Sequence, residues 1–127
     1  MNELLTIGID LVEIRNVQIL YRKYGHKFLE LVCTPAEYEW CSGNPVFISE
    51  LFAIKESIAK ALGVGLDYLS LEGIRLTEAE VIPLDNGRFE TRLYGRAQEY
   101  ATELGISQWS VSVDQRHGYV IATAVAL

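Results

Sequence analysis

Positions 4–14 form an apolar run of mostly branched residues that contains Gly8 and meets carboxylates at Asp10 and Glu13. That pattern predicts a strand ending in acidic residues. Val17, Leu20, Tyr21 and Tyr24 then recur at helical spacing, with Asn16 placed to cap the helix and Gly25 to weaken or end it. Thr34-Pro35-Ala36-Glu37 has the form of a capping box with proline at the first helical position, so a short helix starts there and Gly43-Asn44-Pro45 breaks it. Ser49 precedes the most strongly helical segment, LFAIKESIAKAL at 51–62, which stops at Gly63-Val64-Gly65.

The second half reads as short strands around one helix. A strand is expected over 71–77, and segments 80–83 and 88–94 flank Asp85-Asn86-Gly87, a hairpin signal because Asn-Gly accepts the positive φ of a tight turn. A helix is expected over 95–104, ended by Gly105. Two last strands, 109–113 and 119–127, are joined by Asp114-Gln115-Arg116-His117-Gly118. Helices and hairpins are segregated, without repeated strand-helix-strand units, which makes the fold class α+β.

The 127 residues, 50% hydrophobic and 22% charged, suit a single domain, 1–127, that needs neither disulfide nor metal to fold. Cys33 and Cys41 have no second pair with which to build a zinc site and read as reduced thiols. A formal net charge of -6 argues against coating nucleic acid or an anionic membrane through the overall field. No stretch of about 19 residues is free of charge, and Met1-Asn2-Glu3 lacks the positive flank of a signal peptide. A cytoplasmic protein with no nucleic-acid or membrane partner is expected.

The chemistry concentrates on the 51–62 segment. Glu56 and Lys60 lie four apart and project from one helix face; as an exposed ion pair they contribute only about 0.3–0.5 kcal/mol. The rest of the segment is almost wholly apolar, so the helix is expected to be surrounded on most sides, where a charge needs a partner. Asp10 poses the same question, as either a strand end facing water or part of a site. If Asp10 and Glu56 converge, two carboxylates and several waters suit magnesium, a hard cation that often bridges to substrate phosphate. Lys60, one turn further, would meet a second phosphate oxygen. Gly63 and Gly65 permit close backbone approach to a ligand, although a helix C-cap explains them equally well. His26 lies in a polar stretch and reads as surface.

IGIDLVEI at 7–14, CTPAE at 33–37, FAIKESIAKALGVG at 52–65, DNGR at 85–88, and WSVSV followed by GYVIATAVA at the end together resemble the holo-acyl-carrier-protein synthases. These are the small, single-repeat branch of the 4'-phosphopantetheinyl transferases, and order, spacing and length match over nearly the whole chain. The resemblance implies the family fold, a small antiparallel sheet packed with helices, and a homotrimer with active sites at subunit interfaces. It implies transfer of 4'-phosphopantetheine from coenzyme A, the substrate, to a serine of apo-acyl carrier protein, with release of 3',5'-ADP. The implied magnesium ligands fall on Asp10 and Glu56, the catalytic pair on Glu56 and Lys60. Coenzyme A contacts fall on Lys60, Gly63, Gly65 and Gln115, and carrier contacts on Arg15, Arg22 and Lys23. Attack of a serine oxygen on a pyrophosphate calls for charge neutralisation and in-line positioning, and Glu56 is placed to accept the serine proton, directly or through a water.

The chain departs from the family pattern at Leu51, where an arginine is usual, and at Asp114-Gln115, where Ser-His or Thr-His is usual. Arg116 and His117 are the candidates to substitute for that histidine from a shifted position. Asn16, with Arg15 beside it, stands where a carrier-docking arginine is usual, and Phe89 replaces a turn proline. One lost charge-assisted hydrogen bond costs about 1.5–3 kcal/mol, roughly 10- to 150-fold in affinity or rate. Two alternatives therefore stand beside the transferase: a trimeric coenzyme A- or nucleotide-binding homologue with reduced or lost transfer, and a plain trimeric scaffold.

Overall fold

The computed structural model describes residues 5–67 and 73–127. Strand β1 (Thr6–Glu13) leads into helices α1 (Ile14–Tyr24), α2 (His26–Val32), α3 (Pro35–Cys41) and α4 (Pro45–Ala61). The hairpin β2 (Ala79–Pro83) and β3 (Phe89–Leu93), helix α5 (Gly95–Leu104) and the hairpin β4 (Trp109–Arg116) and β5 (Tyr119–Ala126) follow. One antiparallel sheet has the order β1-β5-β4, and β2-β3 forms a second. The α+β class holds. No helix of the described residues is long and apolar enough to cross a membrane.

Helix α4 is the centre of the fold. It packs on β1 and β5 and also touches α1, α2 and β2, so Leu51, Ala53, Ile54, Ile58 and Ala59 are all fully buried. The sheet alternates strictly, and the residues facing α4 are Gly8, Asp10 and Val12 on β1 with Val120, Ala122 and Ala124 on β5. Small alanines on β5 let the helix lie close, and Gly8 allows the closest approach. A methyl group there would collide with the Ser57 carbonyl and the Ala61 amide.

Local chemistry explains where the elements differ from the sequence pattern. Helix α4 starts at Pro45, before Ser49: Asn44 Oδ1 accepts Val46 N–H at 2.9 Å and Pro45 fits the first turn, so the Gly43-Asn44-Pro45 break is also a start. Ser49 lies inside that helix and donates to the Pro45 carbonyl at 2.7 Å. Asn16 does not cap α1, which begins directly off β1 with Ile14 N–H donating to the Gly118 carbonyl. Gly25, at φ +57°, ends α1 but α2 begins at the next residue. The strand expected over 71–77 is absent over 73–77; residues 71–72 lie outside the described residues. One bridge, Leu66 to Ile74, is followed by a 3-10 turn at Leu76–Glu78, because Glu78 Oε1 accepts the Arg75 amide at 2.8 Å and winds the chain up. Strand β4 runs on to Arg116, so the expected five-residue loop is a two-residue turn, His117 (φ +53°) and Gly118 (φ +81°).

Candidate active site

Across the contact of β1 with α4, Asp10 and Lys60 meet. Asp10 Oδ1 accepts from Lys60 Nζ at 2.6 Å, and the same ammonium donates to the Ile9 carbonyl at 3.1 Å. The partners are unequal: Asp10 is 7% exposed and Lys60 52%. Asp10 Oδ2 is buried and has no hydrogen-bond partner among the described residues. A buried carboxylate oxygen without a donor is costly in a folded chain, which makes this oxygen a candidate contact for a water or a bound group.

Glu56 is half-buried, one helical turn before Lys60. It lines a cleft of about 200 Å³ with Val12, Glu13, Asn16, Leu20 and Phe28, where β1 passes into α1. On β1 the lining of this cleft begins at Leu11, the residue after Asp10. Gly63 and Gly65 follow the end of α4 at φ +79° and +68°, and a side chain at either would meet open space. Their amides donate to the Lys60 and Ala59 carbonyls, so they serve as the helix C-cap and also leave room beside it.

Gln115 is exposed on β4, in register with Val120 of β5, itself opposite Val12 of β1. It therefore shares the α4-facing side of the sheet with Asp10 but lies two strands from β1, about 10 Å at ordinary strand spacing. Arg116 alternates to the other face and pairs with Asp114 at 3.0 Å, and His117 occupies the turn. Arg116 thus lies on the face of the sheet opposite Asp10. Leu51 is fully buried in the core.

Arg15, Arg22 and Lys23 are all exposed on α1. Arg15, Ile19 and Arg22 are spaced to share one face, and the Lys23 ammonium lies 5.3 Å from the Tyr24 ring centroid. Beside them Leu20, Tyr24, Phe28 and Leu31 line an apolar groove that shares Leu20 and Phe28 with the Glu56 cleft. His26 is a surface residue, 3.4 Å from Glu30.

The sequence pattern missed a second acid–lysine pair, between Glu37 of α3 and Lys55 of α4. Lys55, with no exposed side-chain surface, donates to Glu37 Oε1 at 2.5 Å, the Val32 carbonyl at 2.6 Å and the Leu76 carbonyl at 3.0 Å. Glu37 Oε2 accepts the Val81 amide at 2.7 Å, and Oε1 also accepts the Thr34 amide at 2.8 Å, closing the capping box. Burial raises the Glu37 carboxyl above its ordinary range and lowers the Lys55 ammonium, each opposed by its partner. Thr34 Oγ1 extends the network to Glu80 at 2.6 Å. The available signal was Lys55 itself, a charge inside the apolar run. Nearby, the Cys33 and Cys41 thiols are free with sulfurs 4.0 Å apart, and burial pushes the Cys33 thiol up to about 12.

The other face of the β1-β5-β4 sheet is not covered by any of the described residues. Ile7, Ile9 and Leu11 are between 49% and 59% exposed, and Tyr119 and Ile121 of β5 continue the patch. Large contiguous apolar patches of this kind usually mark an interaction surface.

A sequence model of the 4'-phosphopantetheinyl transferase superfamily matches residues 6–124. The chain is 36% identical over 126 residues to the holo-[acyl-carrier-protein] synthase of Herpetosiphon aurantiacus, covering 98% of this chain and 99% of that protein. It is 34% identical over 123 residues to the enzyme of the same name from Dehalococcoides mccartyi, covering 97% and 98%. The crystal structure of the Helicobacter pylori holo-[acyl-carrier-protein] synthase in complex with coenzyme A superposes with a TM-score of 0.82, at 27% identity, covering 95% of this chain and 99% of that one.

Proposed function

The chain belongs to the 4'-phosphopantetheinyl transferase superfamily, and from that membership we propose that it transfers 4'-phosphopantetheine from coenzyme A to a serine of apo-acyl carrier protein, with magnesium as the metal. The observation that carries this reading is the Asp10–Lys60 pair, in which the second carboxylate oxygen is buried and without a partner among the described residues, with Glu56 one helical turn from Lys60. Hard carboxylate oxygens, few in number and with water filling the remaining positions, fit magnesium, so Asp10 and Glu56 are the residues that would hold it. When bound, it would neutralise charge developing on the phosphoryl oxygens.

The chain's own residues supply the rest. Lys60 has three N–H donors; two are directed at Asp10 Oδ1 and the Ile9 carbonyl, which leaves one for an oxygen of the pyrophosphate. The serine oxygen attacks the β-phosphorus as the bond to the bridging oxygen breaks, and 3',5'-ADP leaves. Glu56 accepts the serine proton, directly or through a water. Gly63 and Gly65 border the nucleotide, and Gln115 contributes a neutral contact in place of the family histidine. Arg15, Arg22 and Lys23 meet the acidic carrier protein, and the neighbouring apolar groove adds a dry surface to that contact.

The uncovered face of β1 and β5 supports a homotrimer, in which the sheets of copies cover one another and Gln115 reaches the site of a neighbour. Ile9→Asp is expected to shift the assembly to monomers in light scattering and to abolish transfer together; a monodisperse trimer in that variant would remove this face from the interface. The buried Leu51 and the neutral Gln115 favour one alternative, a coenzyme A-binding homologue that no longer transfers. Incubation with coenzyme A, magnesium and apo-acyl carrier protein decides between the two readings. Gain of one phosphopantetheine mass by the carrier supports the transferase, and coenzyme A binding without any gain supports the alternative.

A further inference from the structure

Helix α4 is gripped from opposite sides. At about 100° per residue, Lys55 and Ser57 lie about 200° apart around its axis, and Glu56 lies midway between them. On the Ser57 side the helix is held against Gly8, with Lys60 bonded to Asp10. On the Lys55 side three acceptors from three segments, Val32, Glu37 and Leu76, converge on one ammonium, and Glu37 is tied onward to Val81 of β2. A roll of the helix about its contact with β1 would swing Glu56 relative to Asp10, and the Lys55 side adds directional bonds to the packing on β5, α1 and α2 that opposes such a roll.

We propose that Lys55 and Glu37 are positioning residues, a buried pin that fixes the rotation of α4 and thereby holds Glu56 and Lys60 in register with Asp10. The inference rests on the reading of Asp10, Glu56 and Lys60 given above. Ion pairs buried this completely are poor stabilisers compared with apolar residues of similar size. What this one supplies is direction: five hydrogen bonds of fixed geometry reach four segments from two side chains. Apolar replacements fill the space without that directionality.

The test is the double variant Glu37→Met/Lys55→Met, which removes both charges and keeps the volume. Two quantities are read on the folded protein: the kcat and KM of transfer, and Mn2+ affinity by electron paramagnetic resonance in the presence of coenzyme A. The pin requires kcat and Mn2+ affinity each to fall about tenfold or more, as supporting groups of metal sites do, with the KM for carrier protein unchanged because α1 is untouched. A folded double variant with wild-type kcat and Mn2+ affinity overturns the proposal. If the double variant does not fold, Glu37→Gln, which keeps the carbonyl contacts of Lys55, is read in the same way and decides it. Wild-type protein that binds Mn2+ but transfers nothing refutes the transferase reading alone, and the Mn2+ comparison still decides the pin. Wild-type protein that binds no Mn2+ overturns both.

Discussion

Helix α4 supplies the lysines of two acid–lysine pairs of opposite character. Lys55–Glu37 has no exposed side-chain surface, and its donors and acceptors are engaged by backbone from four segments. Lys60–Asp10 joins a half-exposed ammonium to a carboxylate whose second oxygen is buried and unbonded. The two pairs have nearly the same N···O distance, 2.5 and 2.6 Å, so distance does not separate them. Saturation does. A buried pair in which every polar atom has a partner holds nothing in reserve for a ligand, whereas a pair with one buried atom left over holds a polar group whose cost is recovered when something binds.

Substitutions along α4 sharpen that contrast. Glu56→Gln is expected to cut transfer by about 10²–10⁴-fold while circular dichroism and melting stay as in the wild type, because it removes the proton acceptor; unchanged turnover would take Glu56 out of the mechanism. Lys55→Met alone strands a buried carboxylate and is expected to cost about 3–5 kcal/mol in urea unfolding. A loss under about 1 kcal/mol would mean that the pair is wetter than its geometry implies. Asp10→Asn reverses the pattern, with transfer down about 10²–10³-fold and stability within about 1 kcal/mol of wild type. Were Asp10→Asn to unfold the chain and leave the specific activity of the folded fraction intact, the contrast between the pairs would be inverted.

The smallest effect concerns Glu50, also on α4, whose carboxyl is raised by burial alone. A raised folded-state value means the fold favours the protonated form. The associated stability is full below the ordinary carboxylate range and is lost as pH rises through the raised value. Glu50→Gln is therefore expected to raise Tm by about 1–2 °C near pH 7 and to leave it unchanged near pH 4. Equal shifts at both values would assign the gain to packing instead of ionisation.

Much of the architecture was legible in the residues because local signals agreed with the fold. Thr34 to Glu37 made its capping box, Asp85-Asn86-Gly87 its hairpin, and Gly105 ended α5. Elements set by longer-range contacts were not legible. Residues 73–77 lie against the Leu66 backbone, on which a side chain at Gly73 would collide, so they do not make a strand. Asp10, Glu56 and Lys60 were legible as charges interrupting apolar periodicity. The partner of Lys60 was not, since Asp10 is fifty positions away, and the Glu56–Lys60 spacing drew attention to the nearer acid. Lys55 was overlooked because the chain pattern does not say which of three neighbouring charges on one helix faces inward.

The most direct measurement is anomalous diffraction from crystals soaked in Mn2+ and coenzyme A. The expected result is a metal peak within bonding distance of Asp10 and Glu56 oxygens, with Lys60 on a pyrophosphate oxygen and the Lys55–Glu37 pair unchanged. A peak elsewhere, or nucleotide bound with Asp10 Oδ2 still unbonded, would contradict the assignment of the incomplete pair as the site.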